Sequence, residues 1–266
     1  MLTPIHFSHA NGFPGETYQA LFQALEQRGL SVDYLSLHGH NPRFPVADNW
    51  LGLVDELIET IKQRHQRPVI AVGHSLGGVL SAFAAEQQPH LFKAVILLDS
   101  PVLTALDCSI VNLAKRLGLI DKITPAGRTK GRRNLWVSRE EAKQYFSKRS
   151  LFAQFTEQCL DDYVEHGLVD HNTGVALRYD PEIEVSIYRT IPHIKLSKHY
   201  KVPTALVYGK QSDVIRRHQV SMMRRQRNFY VREVAGSHMF PLEDPIGTAG
   251  QIIHAIQQLR PGFPFN

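Results

Sequence analysis

The chain has 266 residues, 43% of them hydrophobic, and a formal net charge of +5. That is enough apolar material for one sizeable core, and no run of about 18 apolar residues is present to span a membrane. The opening Met1-Leu2-Thr3-Pro4-Ile5-His6 lacks the basic and apolar regions of a signal peptide, and Cys108 and Cys159 are expected to stay reduced, so the expected location is cytoplasmic.

Leu2 to Ser8 reads as a strand that leads into the loop His9–Gly15. Tyr18, Leu21, Phe22 and Leu25 recur at helical spacing, and Gly29 stops that helix. Val32 to Leu37 is the next strand, and Trp50, Leu53, Val54, Leu57, Ile58 and Ile61 form one apolar helix face. The apolar run Val69–Val72 then meets Gly73-His74-Ser75-Leu76-Gly77, and a helix-forming stretch follows from Gly78. Strand, Gly-x-Ser-x-Gly turn, helix is the order of a nucleophile elbow. Such a turn strains the serine backbone and exposes its hydroxyl. Glycine is needed on either side because a Cβ there would collide with the neighbouring strand and helix. The helix behind the serine aims its free N–H groups at the reacting centre. The bare pattern occurs by chance in about one chain in ten of this length, so the flanking strand and helix carry the reading; its rival is a glycine-rich structural turn. The next strand, Ala94–Leu98, ends at Asp99. Strands alternating with helices predict a parallel sheet covered on both faces.

From about Pro101 to Ser197 the alternation stops. Val102, Leu103, Leu106, Ile110, Val111 and Leu117 suggest an amphipathic helix, and Glu140–Arg149 and Leu151–Val164 read as helical. Gly174–Tyr179 is at most a short extended piece. Alternation resumes with the strand Thr204–Tyr208, which runs into Lys210-Gln211-Ser212-Asp213. A helix around Gln219–Arg225, the strand Phe229–Val234, the loop Gly236-Ser237-His238 and a final helix using Ile252, Ile253, Ile256 and Leu259 complete the chain.

A serine at its ordinary pKa needs a base, and the base needs an orienting acid. Behind an elbow of this type the chain order is Ser, then Asp or Glu, then His. His238 follows the last strand and fits the base. Asp213 sits just past a strand end, where open α/β sheets place ligand-facing groups; its other reading is a cap for the following helix.

The His9-to-Gly15 loop, the His38-Gly39-His40 turn, the Gly73-to-Gly78 elbow, the Tyr208-to-Val214 loop and the His238 loop with Pro241 and Glu243-Asp244-Pro245 stand in a telling order. With them the chain resembles the α/β-hydrolase superfamily, over roughly residues 1–100 and 200–260. The resemblance implies an α/β fold with a mostly parallel sheet, helices on both faces, and the family's first two strands missing or reduced. It implies a core of residues 1–100 and 198–266, with a helical cap inserted over 101–197. It implies Ser75 as nucleophile, His238 as base and Asp213 as acid, with Asp99 as the alternative acid. The oxyanion would be held by the backbone N–H groups of Leu76 and Asn11, or of Phe13 in a shifted register. The implied activity is hydrolysis of a carboxylic ester-like bond in a small molecule through an acyl-enzyme. Thioester, lactone and C–C bond cleavage, acyl transfer, and ligand binding without catalysis all occur on this fold. Serine at position 75 counts against branches that use an aspartate nucleophile.

Much of the excess positive charge lies between Lys115 and Arg149 and between Arg216 and Arg227. A solvated surface accounts for it; attraction for an anionic acyl substrate is the sharper reading, and no nucleic-acid-binding motif accompanies it. His9, His38 and His40 fit turn positions, and no carboxylate or cysteine shares a ligand-like spacing with them, so no metal is expected. With no G-x-G-x-x-G and no P-loop, no nucleotide cofactor is expected either.

Overall fold

The structure is a computed structural model in which residues 4–261 are described. Leu2 and Thr3, at the start of the expected first strand, lie outside the described residues, as does Met1. The first part of the core runs through β1 (Ile5–Ser8), α1 (Gln19–Glu26), β2 (Val32–Tyr34), α2 (Leu51–Arg64), β3 (Val69–His74), α3 (Leu76–Gln87) and β4 (Phe92–Leu98). A second stretch carries α4 (Ala105–Arg116), α5 (Ile120–Ile123), α6 (Ala126–Thr129), β5 (Leu135–Trp136), α7 (Arg139–Ser147), α8 (Glu157–His166), β6 (Leu168–His171), β7 (Gly174–Leu177) and α9 (Pro181–Arg189). The core resumes with β8 (Thr204–Gly209), α10 (Arg217–Arg224), β9 (Phe229–Val234), α11 (Phe240–Glu243) and α12 (Pro245–Leu259). Among the described residues no helix is long and apolar enough to cross a membrane.

Six strands form one sheet in the order β2-β1-β3-β4-β8-β9, parallel at every pairing. β1 and β3 are buried along their whole length, as a parallel sheet covered on both faces requires. The period of two then sorts the side chains. Ile5, Phe7, Ile70, Val72, Ile96 and Leu98 face α1 and α12; Val69, Ala71, Val95 and Leu97 face α2 and α3. The expected strand Val32–Leu37 is shorter than its apolar pattern. β2 is an edge strand whose one partner, β1, pairs with it only as far as Tyr34.

The stretch between β4 and β8 is not wholly helical. β5, β7 and β6 form a small antiparallel sheet in that order. Strands this short are below the length at which alternation shows, and β5 pairs with β7 across some forty residues of chain. α8 starts at Glu157, later than the expected Leu151, because Thr156 caps it by accepting from Cys159 N–H. α4 also turns a different face inward from the one its large apolar residues suggest. Cys108, Val111 and Ala114 are buried, whereas Leu106, Ile110, Leu113 and Leu117 are exposed. Cys108 and Cys159 are both buried and unbonded.

An aromatic cluster joins this stretch to the core. The Phe152 ring lies 4.8 Å from Tyr163, 4.9 Å from Phe146 and 5.9 Å from Phe13, the last on the loop after β1. Such pairs add to the burial of large apolar rings. Phe152→Ala should therefore lower stability by about 3–5 kcal/mol. Urea unfolding followed by tryptophan fluorescence checks this, and a loss well under 1 kcal/mol would show that the cluster holds nothing.

Candidate active site

Ser75 occupies the turn between β3 and α3 with φ 53° and ψ −115°. A side-chain-bearing residue in this region costs about 1–3 kcal/mol and persists only where its surroundings hold it. The hold is visible: Ser75 N–H donates to Leu98 O at 3.0 Å, and Ser75 O accepts from Gly78 and Val79 N–H. Glycine is required at both flanks. A Cβ on Gly73 would fall on the Gly77 backbone, and a Cβ on Gly77 would fall on the Ser8 carbonyl. The two glycines thus permit the tight turn and the close approach of α3 to β1. Ser75 is left partly exposed, and the Leu76 N–H has no acceptor among the described residues.

The carboxylate placed against His238 is that of Asp99, and the expectation for Asp213 is corrected. His238 Nδ1 lies 2.7 Å from Asp99 Oδ2, and the Asp99 side chain is fully buried. Asp213 is exposed and makes no contact with the ring. The loop after β8 plays another part here. Gly209 N–H donates to Asp99 Oδ1 at 2.8 Å, and the Ser212 hydroxyl donates to Asp99 Oδ2. A buried carboxylate needs such donors, and the end of β8 serves Asp99 with a backbone N–H while the loop that carries Asp213 serves it with a serine hydroxyl. Asp99 itself has φ 47°, fixed by its own N–H donating to Val207 O at 2.8 Å. Ser75 Oγ and the His238 ring share no hydrogen bond in this structure.

Two residues outside the expected set tie the loops together. Tyr18 on the short helical turn before α1 donates its hydroxyl to His74 Nδ1 at 2.7 Å and accepts from Ala10 N–H at 3.3 Å. His74 Nε2–H donates to His238 O at 2.9 Å, and the His74 and His238 rings are 5.0 Å apart. Burial holds His74 well below the ordinary imidazole range and raises Tyr18. Both stay neutral, and the direction of each hydrogen bond is fixed. In the sequence Tyr18 reads only as part of an apolar helix face, and His74 as the variable position beside the serine.

After β1, residues 10–13 form a tight turn: Gly12 has φ 81° and Phe13 N–H donates to Ala10 O at 3.1 Å. That bond occupies the Phe13 N–H, which removes the shifted register. The Asn11 N–H has no acceptor among the described residues. The Asn11 side chain donates to Glu184 O at 3.0 Å, and the Glu184 carboxylate, paired with Arg132 at 2.7 Å, packs against Gly12. Burial raises the Glu184 carboxyl while Arg132 pulls it down.

His9, His38 and His40 are knit into turns. His9 Nδ1–H donates to Ala10 O and its Nε2 accepts from His38 N–H, both at 2.8 Å. His40 Nδ1–H donates to His38 O and its Nε2 accepts from Asp180 N–H. Several cations of the first basic stretch are paired, Arg133 with Glu141 and Arg139 with Asp170 among them. Among the described residues none of Arg216, Arg217, Arg224, Arg225 and Arg227 pairs with a carboxylate.

Two outcomes follow from this geometry. The His238 Nδ1 proton should give a low-field NMR signal that Asp99→Asn removes and Asp213→Asn leaves in place; the reverse would return the acid to Asp213. Acid should also loosen the fold. Burial holds His9 at about 4, and His38 and His74 well below their ordinary 6.5, so each ring takes up a proton more readily when unfolded. Stability should be full above pH 6.5 and fall as pH drops below it. The Glu56 carboxyl, raised to about 7 by burial, and those of Glu184 and Asp162, also raised by burial, work in the opposite sense, while His6, His40 and His65, all lowered by burial, add to the three rings. Melting temperatures by circular dichroism at pH 7.5 and 5.5 check the sign.

Known proteins resemble both the sequence and the fold. The type I acyl-CoA thioesterase mpaH of Penicillium brevicompactum is 25% identical over 177 residues, which cover 60% of this chain and 38% of that protein. The chain spans about two fifths of the length of the curated relatives it matches. The thioesterase domain from the curacin biosynthetic pathway shares the fold with a TM-score of 0.72 at 18% identity, over 95% of this chain and 91% of that one. An esterase of M. tuberculosis does so with a TM-score of 0.70 at 19% identity, over 96% and 86%. Residues 7–251 match the model of the alpha/beta hydrolase family, from within β1 into α12, and the chain belongs to that family.

Proposed function

We propose that this chain is a serine hydrolase that cleaves a carboxylic ester-like bond of a small molecule through an acyl-enzyme on Ser75. The observation that carries the reading is the 2.7 Å contact between His238 Nδ1 and the buried Asp99 carboxylate, beside the strained turn that presents Ser75. Asp99 fixes the imidazole tautomer, so that Nε2 is the basic nitrogen. Nε2 takes the Ser75 proton as the hydroxyl attacks the carbonyl carbon. The oxyanion forms against the free N–H groups of Leu76 and Asn11, each such donor being worth about 10²–10³ in rate. His238 then protonates the leaving group. In the second half it activates water, which releases the acid and restores Ser75. Catalytic hydrogen bonds in a resting site are often long and shorten when substrate binds, which accommodates the absence of a Ser75–His238 bond. Residues 101–197 serve as a cap over this site, joined to it through Phe13 and through Glu184 against Gly12. The substrate is an acyl compound, and the unpaired arginines of α10 and its flanks are compatible with an anionic one.

A thioester is the second reading, favoured by the thioesterase names of mpaH and of the curacin domain. Wild type should hydrolyse short p-nitrophenyl esters and react with a fluorophosphonate probe. Ser75→Ala should lose both, and labelling of that variant would sink the assignment. Asp99→Asn should lower kcat by about 10⁴-fold, with Asp213→Asn close to wild type. Parallel kcat/KM values for matched esters and acyl-CoA thioesters decide the bond class. Product analysis at rising alcohol concentration separates hydrolysis from acyl transfer.

A further inference from the structure

Toward the N-terminal ends of the strands lies a cluster that the proposed hydrolysis does not use. His6 on β1, Asp33 on β2 and His65, the residue that ends α2, each turn one ligand atom toward a common point. His6 Nδ1 and His65 Nε2 are 3.2 Å apart. Asp33 Oδ2 is 3.1 Å from His65 Nε2 and 3.5 Å from His6 Nδ1.

We propose that His6, Asp33 and His65 form a binding site for a divalent transition metal, zinc by the chemistry of its donors, with water completing the coordination. Ligand atoms bound about 2.0–2.2 Å from a tetrahedral zinc ion stand about 3.3–3.5 Å from one another, close to the three separations seen here. Hydrogen atoms alone satisfy this triangle poorly. If one ring nitrogen carries a proton, the other turns a lone pair toward the carboxylate. If both carry one, two donors oppose each other across 3.2 Å. A cation at the centre uses all three lone pairs at once. Two imidazoles and one carboxylate are a donor set that zinc accepts.

The three groups are also held in place. Parallel pairing sets His6 directly opposite Asp33. Asp33 Oδ1 accepts from Tyr34 N–H at 2.9 Å and from Arg64 at 3.0 Å, which fixes the carboxylate and leaves Oδ2 for the site. Among the described residues the polar contacts of the His6 ring run through Nδ1, and its buried Nε2 has no partner. His6 is fully buried and the His65 side chain is 8% exposed, whereas Asp33, at 35%, opens the site to solvent. An ion bound here would clip the short edge strand β2 and the end of α2 to β1. The three ligands lie on separate elements far apart along the chain, which is why no spacing announces them.

The test is titration of the EDTA-treated protein with Co²⁺, read by visible absorption, and with Zn²⁺, read by melting temperature. Wild type should develop the bands of a low-coordinate cobalt site at one equivalent. Its melting temperature should rise by about 5 °C at a hundredfold excess of Zn²⁺ over the dissociation constant. His65→Gln and Asp33→Asn should abolish the bands and the shift while each still unfolds in one cooperative transition in EDTA. Equal responses in wild type and His65→Gln would overturn the site and reassign the binding to other histidines. No response in wild type would leave a hydrogen-bonded cluster only.

Discussion

The site depends on one buried chain of neutral hydrogen bonds: Ala10 N–H to Tyr18 hydroxyl, Tyr18 hydroxyl to His74 Nδ1, and His74 Nε2–H to the His238 carbonyl. It links the loop after β1, the turn at Ser75 and the loop after β9, which meet only in the folded chain. Water is excluded from most of it, so each bond broken would leave a buried polar group without a partner, at about 1–3 kcal/mol. Because neither His74 nor Tyr18 takes a charge, this chain of bonds positions the His238 loop through neutral groups alone.

Asp99 is held by the same kind of buried hydrogen bonding. Its carboxylate is fully buried and accepts from Gly209, Ser212 and His238. One donor is the last residue of β8, one lies in the loop after it and one in the loop after β9, so the carboxylate draws its partners from neighbouring strand ends of a parallel sheet. Gly209 N–H and the Ser212 hydroxyl stabilise the anion, and the remaining direction is open to the imidazole.

The stretch between β4 and β8 meets the core twice. Phe152, Phe155 and Tyr163 gather around Phe13, and Asn11 and Gly12 rest on Glu184, which pairs with Arg132. Both contacts fall on the turn that presents the Asn11 N–H. Movement of this stretch and the geometry of that turn are therefore coupled through packing. At the other end of β1, His6 faces Asp33 and His65, so a single four-residue strand lies between the serine turn and the candidate metal site.

Much was legible in the chain itself. The buried runs of β1, β3, β4 and β8 announce a parallel sheet because each must be covered on both faces. Gly73 and Gly77 announce the turn at Ser75 because only glycine fits those approaches, and His238 is marked by its place after the last strand. These properties are local: periodicity, steric bulk and chain order. The choice between Asp99 and Asp213 was not local, since both follow strand ends between the serine and the histidine. Only the way the loop after β8 folds, with its serine inward and the Asp213 carboxylate outward, leaves Asp99 as the carboxylate against His238. The small sheet of β5, β7 and β6, the inward face of α4, the Tyr18–His74 chain and the grouping of His6, Asp33 and His65 share that character. Each arises from residues distant along the polypeptide, brought together by a packing free energy that no single segment encodes.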